Sequence, residues 1–118
     1  MIPARDKPDG RRYKRIAFKR PIKFKVKGRD IFVGHLALDL SEGGLRFYSA
    51  EFIPLNTVMM VQIQLEEYGR VIELEGRVAW ARANPVSDKY QLGLEFADSM
   101  ALKRALIGAH IRSVQKEN

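Results

Sequence analysis

Apolar and polar residues alternate along most of the chain. After Pro21, the residues Ile22, Phe24 and Val26 alternate with lysines. Such alternation is typical of a strand with one buried face and one solvent-exposed face. Further apolar segments, separated by residues that favour turns, cover residues 31–38, 45–48, 59–65, 72–80 and 90–96. About six short strands in this arrangement predict a mainly all-β fold, either a sandwich or a small barrel.

Both ends of the chain depart from this alternation. Residues 1–19 show no sustained period and are interrupted by prolines and Gly10, so we predict a flexible, irregular, basic arm there. Residues 20–118 then form a single domain. It ends in a predicted helix over about residues 99–115, which Asp98 or Ser99 can cap.

The predicted helix carries two neighbouring apolar stripes. Their members recur at helical spacing: Leu102, Ala105, Leu106 and Ala109 in the first stripe, and Ile107, Ile111 and Val114 in the second. Two stripes are more than one surface contact requires. Either the helix packs deeply across the barrel, or one stripe meets a partner chain, as it would in a homodimer.

Basic residues are concentrated at the start of the chain. The formal net charge is +7, but residues 1–29 hold 12 of the 21 Lys and Arg residues and sum to +10, whereas residues 30–118 sum to −3. This asymmetry predicts a phosphate-bearing or acidic partner, although a solvated charged tail would have the same composition.

The composition argues against several classes of protein. The chain has no cysteine and two histidines, His35 and His110, which excludes disulfide scaffolds, thiol nucleophiles and Cys-ligated metals. It contains no phosphate-binding glycine loop and no nucleophile elbow, so we expect no catalysis, metal or cofactor. No apolar run approaches the roughly 20 residues of a membrane span, and no signal peptide is recognisable. We therefore expect a soluble, cytoplasmic protein that is not an enzyme.

Two short motifs stand out against this background. The first is Arg11-x-x-x-Arg15 in the basic arm, and the second is Asp39-x-Ser41-x-x-Gly44 in a predicted turn between two strands. Taken singly, both have ordinary explanations. Chance alone could give about one such arginine pair in so basic a chain, and the second motif could be an Asx turn with a glycine.

With both motifs present, the chain resembles a PilZ domain, a member of a family of bacterial cyclic di-GMP receptors. The resemblance covers nearly the whole chain, including the segments 76–80 and 90–96 and the closing helix. It implies a six-stranded antiparallel β-barrel with a C-terminal α-helix. It also implies cyclic di-GMP as the ligand, with no further cofactor.

The resemblance implies a set of ligand-binding residues. It assigns Arg11 and Arg15 to guanine and phosphate, and Asp39, Ser41 and Gly44 to the base. These side chains suit the ligand. An arginine can donate two hydrogen bonds to guanine O6 and N7, and a carboxylate can accept hydrogen bonds from guanine N1–H and N2–H₂.

Four further residues are candidates for the same site. Gly43, like Gly44, would allow positive φ and a close approach of the backbone to a flat ring. Arg12 and Arg46 could contact phosphate. Trp80 shares a face with Ile72 and Leu74, so core packing is its first interpretation, although near a strand end its ring could stack on a base or an arginine.

The function expected from these observations is that of a second-messenger receptor. Ligand binding would order residues 10–16 and change the surface offered to an unidentified downstream protein. The resemblance implies that Gly10, in a place where a basic residue accompanies a stacked ligand pair in the family, favours one bound ligand, while the neighbouring Arg12 and Lys7 leave both open. Two alternatives are a basic-armed barrel that binds RNA or DNA, which the acidic balance of residues 30–118 disfavours, and a ligand-free adaptor, which would usually lack the arginine motif.

Overall fold

The computed structural model of the protein describes residues 13–66 and 69–116. These residues form seven strands, a short 3₁₀ turn and one α-helix. In chain order they are β1 (Arg15–Ala17), β2 (Pro21–Val26), β3 (Val33–Ser41), β4 (Gly44–Ser49), β5 (Val58–Gln64), β6 (Val71–Ala83), β7 (Tyr90–Phe96), the 3₁₀ turn Asp98–Met100 and α1 (Ala101–Lys116).

Six of the strands close into an antiparallel barrel. Neighbouring strands pair in the order β3, β2, β5, β6, β7, β4, and β4 returns to pair with β3. The short strand β1 pairs with the end of β3, where Ile16 lies opposite Leu40. The prediction of a mainly β, six-stranded barrel with a C-terminal helix is confirmed, with β1 as an additional strand.

The core fills the inside of the barrel with the apolar half of each alternating strand. Phe24 of β2 packs against Phe47 of β4 with ring centroids 4.8 Å apart. Ile63, Leu74 and Leu92 are fully buried on three other strands. Burying a side chain of this size contributes roughly 1.5–3 kcal/mol, so the alternation seen in the sequence is the main source of the barrel's stability.

Helix α1 packs on the barrel through one of its two stripes. Ile107 and Ile111 of the second stripe are buried, whereas Leu102 is 85% exposed and Leu106 is 51% exposed. The expected cap at Asp98 or Ser99 is not formed. Those residues lie in the 3₁₀ turn that leads into α1, and the turn's own N-cap residue, Ala97, makes no side-chain capping bond.

The N-terminal segment, by which we mean the described residues 13–19, has more regular structure than the alternation indicated. Arg15–Ala17 form β1, and Phe18 is buried in the core. A strand of three residues is too short to show a period, which explains why the sequence predicted an irregular arm through residue 19. The ordering of residues 10–16 on ligand binding stays a prediction. Arg11 and Arg12 lie outside the described residues.

Candidate ligand-binding groove

The turn between β3 and β4 is held together by Ser41. Its hydroxyl accepts hydrogen bonds from the backbone N–H groups of Gly43 at 3.2 Å and Gly44 at 3.1 Å, and it donates to the Gly44 carbonyl at 3.5 Å. Ser41 itself is buried. Strand β3 continues through Ser41, so Asp39 lies in a strand and not in an Asx turn. The predicted turn is thus shortened to Glu42 and Gly43.

Asp39 joins three strands through its carboxylate. Arg15 of β1 donates from Nη1 to Oδ1 at 2.8 Å. Arg46 of β4 donates to Oδ2 from Nε at 2.6 Å and also from Nη2. The carboxylate is nearly buried, and its hydrogen bond to Arg46 raises the pKa of that guanidinium above its ordinary value. Three of the roughly four acceptor sites of the carboxylate are therefore in use.

Gly43 and Gly44 are required for close packing and not for an unusual backbone angle. Among the glycines of the described residues, Gly28 has positive φ and these two do not, so the expectation of positive φ is wrong. A Cβ on Gly44 would collide with the backbone carbonyl of Leu94 on β7. A Cβ on Gly43 would lie 2.9 Å from Cδ2 of Tyr13. The turn is thus pressed between β7 and the N-terminal segment.

A groove of about 580 Å³ lies beside this turn, on the outer surface of β4, β7 and β6. Arg46 of β4 and Trp80 of β6 both lie opposite Gly93 of β7 in the sheet register. These three residues form a row across the floor of the groove. The N-terminal segment and the start of α1 form its walls. The side chains that line it are mostly polar or charged, and they include Tyr13, Arg15, Arg46, Arg77, Trp80, Glu95, Asp98 and Arg104.

Trp80 lies in this groove and not in the core. The register of β6 against β7 shifts between Val78 and Trp80, and this β-bulge turns the indole to the outer face. There the indole packs against Gly93, and the guanidinium of Arg82 is 5.9 Å from its ring. Core packing of Trp80 beside Ile72, which the alternation suggested, is therefore wrong.

Three groove residues were not singled out from the sequence. Arg77 pairs with Glu95 across β6 and β7 at 2.9 Å. Tyr13 packs on Gly43, and Arg104 reaches the groove from α1. Position within the arginine motif could have indicated Tyr13. A helix arginine carries no such signal, because its contacts depend on tertiary packing. No cluster of three acidic or histidine side chains that could hold a metal occurs in residues 13–66 and 69–116.

Comparison with known proteins identifies the family. The family model of the PilZ domain matches residues 9–113. The chain belongs to the PilZ domain family. In the part of this PilZ domain that the structure describes, Arg15, Ser41, Gly43, Gly44, Arg46 and Trp80 line one groove. Asp39 does not line it, but its carboxylate accepts hydrogen bonds from Arg15 and Arg46, which do. No helix in that part of the chain is long and apolar enough to cross a membrane.

Several solved structures have the same fold. The inhibitor of motility MotI/DgrA from Bacillus subtilis is 22% identical, with a TM-score of 0.72, and the match covers 90% of this chain and 52% of that one. The MrkH–c-di-GMP complex from K. pneumonia is 15% identical, with a TM-score of 0.70 and coverages of 90% and 52%. YcgR in complex with c-di-GMP from Escherichia coli is 18% identical, with a TM-score of 0.70 and coverages of 90% and 46%.

The TM-scores, together with these low identities, show a shared fold and no more. The chain spans about half the length of these three solved chains. A search of the curated proteins found no match.

Proposed function

We propose that this PilZ domain is a non-enzymatic receptor that binds cyclic di-GMP in the groove beside Asp39. The convergence of Arg15 and Arg46 on the Asp39 carboxylate, at the edge of a groove of about 580 Å³, is the observation that carries this proposal. Two structures with the same fold, MrkH and YcgR, are complexes with c-di-GMP, which supports the choice of ligand.

The chemistry of the groove suits a guanine dinucleotide. Each guanine offers O6 and N7 to an arginine fork, and the two phosphates need positive charge. Arg15, Arg46 and Arg77 supply three guanidinium groups around the groove. Trp80 adds an aromatic ring to the floor of the groove, which could stack on a base. Arg11 and Arg12 remain proposed contacts from the part of the motif outside the described residues.

Ligand binding requires an exchange of partners at Asp39. Its carboxylate already accepts three N–H groups from Arg15 and Arg46, and a guanine edge brings two more donors. At least one arginine N–H group must therefore leave when guanine enters. We propose that the released guanidinium then binds a phosphate or the O6/N7 edge of a guanine. Ser41 supports this site by fixing the turn, and a direct contact from its hydroxyl remains a prediction.

The receptor passes the signal on through its surface. We propose that the rearranged N-terminal segment changes the affinity for a downstream protein in the cytoplasm, where a second messenger is produced and sensed. A ligand can shift this equilibrium only by its unequal affinity for the two arrangements.

We also propose that α1 mediates a homodimer through Leu102 and Leu106. Both side chains are exposed although they belong to a regular apolar stripe with Ala105 and Ala109. Alternating large and small residues allow two such helices to approach closely and interdigitate.

Titration of the protein with four ligands tests the ligand assignment. Calorimetry with cyclic di-GMP, cyclic di-AMP, GMP and a short oligonucleotide should show saturable binding of cyclic di-GMP alone. Oligonucleotide binding that falls steeply with salt and ignores base identity would instead support the RNA or DNA alternative. Absence of binding to all four would support a ligand-free adaptor.

A further inference from the structure

Arg104 connects helix α1 to the N-terminal segment across the β3–β4 turn. It donates from Nη2 to the hydroxyl oxygen of Tyr13 at 3.1 Å, and its guanidinium lies 5.5 Å from the centre of the Tyr13 ring. It also donates from Nε to the carbonyl of Glu42 at 3.2 Å and from Nη1 to Asp98 at 3.4 Å. The Arg104 side chain is only 15% exposed, which is low for a cation and indicates a fixed position.

Tyr13 completes the connection from the other side. Its ring lies against Gly43, so closely that a Cβ at that position would approach Cδ2 to 2.9 Å. Tyr13 precedes Arg15 by two residues, and Arg15 holds the Asp39 carboxylate. Arg104 and Tyr13 thus fix both the turn and the segment that supplies the first arginine of the groove.

We propose that Tyr13 and Arg104 are positioning residues that preorganise the ligand site. The proposal rests on the proposed function. Strand β1 has three residues, so its pairing with β3 gives little to offset the entropy lost when the segment is fixed. The Tyr13–Arg104 contact supplies further stabilisation. A larger fraction of free molecules then presents Arg15 in its bound position, and the apparent affinity rises in proportion to that fraction.

A double-mutant cycle tests this coupling. Tyr13→Phe keeps the ring on Gly43 and removes only the hydroxyl that accepts from Arg104. We expect calorimetry to show cyclic di-GMP affinity about 2- to 10-fold weaker, the range expected for one hydrogen bond. In an Arg104→Met background, Tyr13→Phe should cost little more, because its partner is already absent. Arg104→Lys replaces Arg104→Met if the latter does not fold.

Two substitutions provide matched controls. Lys103→Met removes a charge from the same helix, where Lys103 donates to the Glu73 carbonyl. Tyr90→Phe removes a hydroxyl from a ring that contacts Phe52 away from the groove. Both should bind cyclic di-GMP like the wild type.

Hydrogen exchange provides a readout that needs no ligand affinity. In free Tyr13→Phe, the amides of Ile16, which lies opposite Leu40, and of Phe18, which donates to the Leu38 carbonyl, should exchange faster than in the wild type. Saturation with cyclic di-GMP should remove the difference. The outcomes separate the two proposals. If the wild type fails to bind, the proposed function is wrong. If the wild type binds but Tyr13→Phe has unchanged or tighter affinity, or if the two losses simply add, the positioning role is wrong.

Discussion

Arg46 and Asp39 lie opposite one another on β4 and β3, and Arg46 donates two hydrogen bonds to a single carboxylate oxygen, Oδ2. The other oxygen, Oδ1, accepts from Arg15 on β1. Two cations therefore share one anion, which leaves an excess of one positive charge at the edge of the groove. A phosphate can neutralise that excess, and both guanidinium groups remain accessible to it, because the Arg15 and Arg46 side chains are 43% and 39% exposed.

We expect Arg15→Ala to weaken cyclic di-GMP binding and to leave the barrel folded. Loss of one bidentate guanine contact costs about 1–3 kcal/mol, or roughly 5- to 150-fold in affinity. The fold should survive because the Arg15 side chain is 43% exposed and Arg46 still neutralises Asp39. Calorimetric titration measures the effect, and Lys19→Ala, an exposed cation of the same segment, is the control. Equal affinity in a folded Arg15→Ala protein would contradict the site.

We expect Asp39→Asn to bind cyclic di-GMP about 5- to 30-fold more weakly despite the equal size of the side chains. The amide loses charge assistance and directs an NH₂ group at the guanine donors. Releasing the two arginines offsets little of this loss, because both pairs are partly exposed to solvent, at 43% and 39% of the arginine side chains. Titration of the wild type and of Asp39→Asn with cyclic di-GMP, at the same ionic strength, measures this difference in affinity. If Asn binds as tightly as Asp, the carboxylate serves the fold and not the base.

The sequence predicted most of the barrel because each long strand buries one face, which imposes a period of two. The prediction from sequence failed where a bulge interrupts that period and where a strand is too short to show it. The bulge between Val78 and Trp80 moves the indole from the expected core to the groove. Strand β1 spans three residues, which is shorter than two full periods.

The candidate site was predictable only in part. Asp39, Ser41 and Gly44 belong to one local motif that can be read along the chain. Arg104 contacts Glu42 across 62 positions of sequence, so its role depends on how α1 docks on the barrel. The exchange needed at Asp39 also follows from tertiary structure, because it depends on which donors already occupy the carboxylate.

We expect Gly44→Ala to destabilise the domain by about 1–3 kcal/mol, the usual cost of overpacking. The new Cβ would meet the rigid carbonyl of Leu94, so β4 and β7 would have to separate. Gly34→Ala is the matched control, since its Cβ would lie 3.9 Å from the nearest atom, the carbonyl oxygen of Ile22. Urea unfolding measures both changes. Equal free energies of unfolding for the two variants would show that the close β4–β7 approach is absent.

We expect the stability of the domain to fall as the pH is lowered, partly through His35. Burial, and then the charge of Lys89, lower the pKa of His35 below its ordinary value, and the imidazole stacks on Phe24 with centroids 6.3 Å apart. The unfolded chain therefore binds the proton more readily. Stability is complete above the unfolded value of about 6.5 and is lost as the pH falls through the lowered folded value.

Urea unfolding at several pH values isolates the contribution of His35. The free energy of unfolding should fall less steeply below about pH 6.5 in His35→Gln than in the wild type. Identical slopes in the wild type and His35→Gln would contradict the assignment.

We expect the protein to form a weak dimer through α1. Burying a fully exposed leucine contributes about 1.5–3 kcal/mol, so Leu102 and Leu106 of two copies, which are 85% and 51% exposed, supply about 4–8 kcal/mol. Association costs about 4–15 kcal/mol in lost freedom, which leaves a small net affinity. Sedimentation equilibrium should therefore show self-association that depends on concentration, and Leu106→Glu should abolish it. Leu55→Glu changes a leucine of similar exposure, 57% against 51%, outside the helix and should leave it intact. If both substitutions disrupt the dimer equally, or if the wild type remains monomeric at high concentration, the exposed stripe of α1 is not a contact between copies.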